Sequence, residues 1–191
     1  MFNKGVTQGM RDDLLGAIET YDTLIKRFGD DDTPEIREQV VKAMLNKGVT
    51  QGMRDDLPGA MEAYDTLIKR FGDDETPEIR EKVANGQIRL ANLLLDRTNN
   101  RILAEQLLEK SIPSLPLLAK ANLAWLYLLS TRTSEAKKSM KLISDLPKAG
   151  LDLLNSAIEL SSDNFGSAMK LLDDVLNLGL VDDVFNYEDD L

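Results

Sequence analysis

Between Ala60 and Phe71 the apolar positions fall at Ala60, Tyr64, Leu67, Ile68 and Phe71. Those spacings draw one continuous stripe along a helix and predict an amphipathic α-helix. Gly72 follows where a helix-ending C′ residue is expected. Upstream, Thr33 reads as an N-cap, Pro34 fits the first helical position, and Glu35 suits the positive end of the helix dipole. The pattern predicts a helix from Pro34 to about Met53. Arg54, Asp55 and Asp56 then make a turn with a new N-cap, and Pro58 is tolerated because it falls in the first turn of the next helix. The unit is a pair of antiparallel helices, and no strand pattern is present.

This unit is read twice. Aligning Met1–Ala43 with Met44–Gly86 leaves nine mismatches in 43 positions, among them Phe2 for Leu45, Leu15 for Pro58 and Ile18 for Met61. Such a period belongs to arrays of stacked helical units rather than to a closed core. A third unit from Thr76 carries Ala91, Ala104 and Leu108 in the same roles, with a turn, Arg97 to Asn100, one residue longer. A fourth from Pro116 to Leu146 carries Ala124, Ala136 and Met140, with the aromatic Tyr127. A fifth from Pro147 carries Ser156, Ala168 and Leu172. The approximate units are 1–33, 34–75, 76–113, 114–146 and 147–179, with 180–191 a cap or acidic tail.

Gly5, Ala17 and Tyr21 in the first copy, and Gly48, Ala60 and Tyr64 in the second, put a small residue on the first helix. An alanine follows twelve positions later, and an aromatic four beyond that. This spacing resembles the tetratricopeptide repeat, in a bacterial-type array with extended 43-residue units. Small residues are needed where paired helices cross closely, and the aromatic fills the space beside them. The resemblance implies an all-α fold: a right-handed α-solenoid of about five antiparallel helix pairs forming one domain over 1–191. The usual family repeat is shorter, and its terminal proline is replaced here by Gly29 and Gly72.

Composition narrows the function. The 23 basic against 33 acidic residues give a net charge of −10, which argues against general affinity for nucleic acid or anionic membranes. Cysteine and histidine are both missing, so disulfides, thiolate chemistry, zinc sites and His-activated nucleophiles are excluded. The longest strongly apolar stretch, Ala121–Leu129, is too short to span a bilayer, and the N-terminus lacks the apolar core of a secretion signal. A cytoplasmic protein without cofactor or metal is expected. The clusters Asp30–Asp32 and Asp73–Glu75 lack the glycine and distal glutamate of a calcium loop and read as helix-start charge. Catalysis would have to come from Asp, Glu, Lys, Tyr and Ser alone, and the expectation is not an enzyme.

In such arrays the first helix of each pair lines the concave face. Two residues before each small crossing position stand Asn3, Asn46, Arg89 and Asn122, one per unit. The ladder resembles the groove polar groups with which peptide-binding members of the family hold a ligand's backbone or carboxylate. Lys42, Asn85, Val49, Asn92 and Trp125 are further groove candidates. Two readings stay open for the ladder, ligand contact or inter-unit hydrogen bonding, and two for Trp125, groove anchor or core packing. Met10 and Met53 are expected in the packing. The expected function is a scaffold binding a protein or peptide partner in the groove. The alternatives are a structural element self-associating through an uncapped N-terminal end, or a regulatory module cut from a larger repeat protein.

Overall fold

The computed structural model describes residues 1–98 and 100–129. The expected roles of Ala136, Met140, Ser156, Ala168 and Leu172, and the 180–191 tail, lie outside the described residues. The described residues form seven α-helices and no strand: α1 Phe2–Met10, α2 Leu14–Phe28, α3 Pro34–Met53, α4 Leu57–Phe71, α5 Pro77–Thr98, α6 Arg101–Ser111 and α7 Pro116–Leu129. The chain divides into two compact units, Met1–Pro116 and Leu117–Leu191.

Within the first unit each helix packs on its successor, and α1, α3 and α5 also meet in sequence. Helix α3, 20 residues and about 30 Å long, therefore touches α1, α2, α4 and α5. That is why its buried residues, among them Val40, Val41, Ala43, Met44, Gly48 and Gln51, surround it rather than forming one stripe. The even helices keep most of the predicted stripe: Ala60, Tyr64, Leu67 and Phe71 are buried on α4, with Ile68 half-buried, and Ala17, Tyr21 and Leu24 are buried on α2. Ala91, Ala104 and Leu108 are fully buried at the corresponding places in the third pair.

The helix crossing explains the glycines. A methyl group at Gly48 would lie 2.5 Å from Tyr64 Cε1, and one at Gly5 would lie 2.6 Å from Tyr21 Cε1. Only a residue without Cβ lets the tyrosine ring lie against the first helix.

The turns between paired helices are closed by aspartates. Asp12 and Asp55 adopt φ of 64° and 60°, in the left-handed region that aspartate tolerates better than most residues. In the first copy Asp12 N donates to Gly9 O and Asp13 N donates to Gln8 O at 2.9 Å, a Schellman closure. Asp13 then caps the next helix, its carboxylate accepting from Gly16 N at 3.0 Å, and Asp56 accepts from Gly59 N at 3.1 Å. One aspartate thus ends one helix and begins the next.

Three expectations are corrected. Gly72 remains right-handed, with φ of −61°, so it does not act as a left-handed C′ glycine, and its copy Gly29 does the same at −54°. The Thr33 side chain makes no capping bond; its backbone N–H instead donates to Asp31 Oδ1 at 2.9 Å, so the acidic cluster rather than the threonine orders that turn. Met10 and Met53 are exposed, at 78% and 56%, because they are the last residues of α1 and α3, where the aspartate turn leads the chain away from the core.

Candidate binding face

Asn3, Asn46 and Arg89 occupy the same register on α1, α3 and α5, three helices that pack side by side in sequence. Asn3 is exposed, and Asn46 and Arg89 are half-buried. Half-burial is what a groove-lining polar side chain would have, and also what a seam-forming one would have.

Arg89 is the most constrained of the three. Its Nε donates to Asn85 Oδ1 at 2.7 Å, one helical turn back on α5. Its positive charge also lies close to the Tyr64 hydroxyl across the α4–α5 packing. Burial pushes the Tyr64 hydroxyl above its ordinary value, and the neighbouring Arg89 charge opposes that rise. One of the five guanidinium donors, Nε, is thereby used, which ties the group to α5. Two sequence-predicted candidates, Asn85 and Arg89, are thus brought together into one rigid group.

The other candidates are placed differently. Lys42 Nζ pairs with Glu38 Oε1 at 2.7 Å along α3. Val49 is half-buried and Asn92 exposed. Asn122 lies on α7 in the second compact unit and is buried, its Nδ2 donating to Leu118 O at 2.8 Å. Trp125 is on α7 as well, and its side chain lies outside those described.

Sequence reasoning missed the ionic ties between helix pairs. Lys47 Nζ meets Asp22 Oδ1 at 2.6 Å, and Arg70 hydrogen-bonds Gly29 O and reaches Asp30 Oδ1 at 3.2 Å. Arg37, in the first turn of α3, pairs with Asp74 after α4 and lies over the Phe71 ring at 5.7 Å. Burial would raise the Asp74 carboxyl, but hydrogen bonds from Thr76 and the Arg37 charge outweigh it and hold the group below its ordinary range. The repeat period is the signal that could have found the ties between pairs, because Lys47 and Arg70 are copies of Lys4 and Arg27.

Among the described residues no group of acidic, histidine or cysteine side chains could hold a metal ion, and no helix is long and apolar enough to cross a membrane. No protein-family model, curated protein or solved structure matches the chain.

Proposed function

We propose that the protein is a tetratricopeptide-like, right-handed α-solenoid that acts as a binding scaffold, holding an extended peptide or a partner protein along the face formed by α1, α3 and α5. The reading includes a non-enzymatic, cytoplasmic role without cofactor, directed at protein rather than nucleic acid or membrane. The observation that carries it is the repetition of a polar side chain at one register, Asn3, Asn46 and Arg89, on three successive touching helices. Partial exposure of Asn46 and Arg89 supports it, since a ligand can reach groups whose orientation is already set by packing. The Arg89 guanidinium, tied at Nε to Asn85, suits a carboxylate or a backbone carbonyl of an extended ligand.

The test is capture from source-cell lysate by the full chain and by an Asn46→Ala/Arg89→Asn variant, followed by direct titration of each captured protein. Circular dichroism and thermal melts first establish that the two chains are equally folded. A partner bound by the parent and lost, or weakened at least tenfold, in the variant is the expected result. A partner bound equally by both removes the face from the account.

A further inference from the structure

Apart from Met1, every large apolar side chain that the described residues leave exposed lies at one end of the helix pairs, where the first helix of a pair turns into the second. Met10 ends α1 and Leu15 is the second residue of α2, exposed by 78% and 57%. Met53 and Pro58 hold the same places on α3 and α4, and Ile102, 74% exposed, is the second residue of α6 with Leu103 beside it. The opposite ends, where one pair leads to the next, are different: Phe28 is half-buried there and Phe71 is buried. The exposure therefore belongs to this edge and not to turns in general. Neighbouring turns stand side by side, since Arg97 Nη2 near the end of α5 lies 3.9 Å from Asp55 Oδ1. A row of exposed apolar groups rimmed by polar ones marks an interaction surface.

Charge on the row identifies its occupant. Each of the first two turns carries an arginine followed by two aspartates. The second aspartate, Asp13 or Asp56, is engaged by a helix-capping N–H and a glutamine amide. Arg11, Asp12 and Arg54 have no side-chain partner among the described residues, and Asp55 has only the long contact to Arg97. Unengaged charges thus alternate in sign along one edge of a chain whose net charge is −10. A wholly acidic or wholly basic ligand would meet like charge along such a row. The same row turned about a two-fold axis sets arginine against aspartate. We propose that this edge, with Met10 and Leu15, Met53 and Pro58, and Ile102 and Leu103, is the interface with a second copy of the chain, packed edge to edge about a two-fold axis. The interface uses none of Asn3, Asn46 and Arg89 and does not depend on what their face binds.

The test is sedimentation velocity of the full chain from low-micromolar to near-millimolar concentration. A dimer whose share grows with concentration is expected. Met10→Gln, Met53→Gln and Ile102→Gln together should weaken it at least tenfold, with the circular dichroism of the dilute chain unchanged. Mixing tests the charges. Arg11→Glu with Arg54→Glu makes the row acidic, and Asp12→Asn with Asp55→Asn makes it basic while keeping a residue that tolerates the left-handed backbone there. Each of these chains alone should dimerise at least tenfold more weakly than the parent, and the two mixed should recover a dimer. A parent that stays monomeric overturns the proposal and leaves the row to a different protein. A dimer that the glutamine variant leaves intact, or a mixture that does not recover, also overturns it.

Discussion

At the scale of single residues the two copies act as controls for each other. In the first, Thr20 Oγ1 donates to Gln8 Oε1 at 2.7 Å. In the second, Ala63 replaces that threonine, and Gln51 Oε1 is buried without a donor. An unmet buried acceptor costs about 1–3 kcal/mol. Ala63→Thr should therefore exceed the isosteric Ala63→Val in unfolding free energy by about 1 kcal/mol or more, the comparison cancelling the cost of β-branching in a helix. The glycines separate in the same way. Gly52 has open space where a Cβ would go, so Gly52→Ala should stabilise by about 0.5–1 kcal/mol through helix propensity alone. Gly48→Ala meets the Tyr64 ring and should destabilise by about 1–3 kcal/mol, less any propensity gain. Urea midpoints of the four variants check both pairs.

At the scale of elements, acid and base act on different seams. The Asp74 carboxyl is held below its ordinary value, so its contribution to stability is complete above pH 3.8 and disappears as pH falls through the lower folded value. Asp74→Asn should flatten the acid limb of the stability profile, leaving less to lose below pH 4. Tyr64 is raised instead, so its contribution is complete below pH 10 and is lost as pH climbs toward the folded value. Tyr64→Phe should remove that alkaline loss; denaturant melts across pH 3 to 11 read both limbs. Helix extents were legible in the residues themselves: the Pro34–Met53 span, the Ala60–Phe71 stripe and the Asp56 cap follow from proline placement, apolar period and capping chemistry. The helix end at Gly72 was legible as well, but the turns after α2 and α4 were not, because they are ordered by Asp31 and Asp74 bonding two residues ahead rather than by a left-handed glycine. Of the candidate face, the register of Asn3, Asn46 and Arg89 could be read from spacing. The engagement of Arg89 by Tyr64 and Asn85 could not, since it depends on how α4 lies against α5.

At the scale of the whole molecule, the first compact unit is a line of helices in which position along the line sets local stability. Helix α3 is enclosed by four others, while α1 meets only α2 and α3 above the weakest contacts. Amide exchange should be slowest at the centre of α3, around Val40–Leu45, and fastest in α1, with the difference shrinking under conditions that unfold the unit globally. Near-identical copies create a hazard for such a line, because either could dock where the other belongs. The seam residues answer it. A Cβ at Gly86 would lie 2.9 Å from Leu67 Cδ2, whereas its counterpart Ala43 carries that methyl and is fully buried. Val41 and Lys42 likewise give way to Ala84 and Asn85 beside it. Besides differing inside the pair at Thr20 and Ala63, the copies diverge at this junction between pairs. Each junction thereby carries its own address, so that a chain with two almost interchangeable units still assembles in one order.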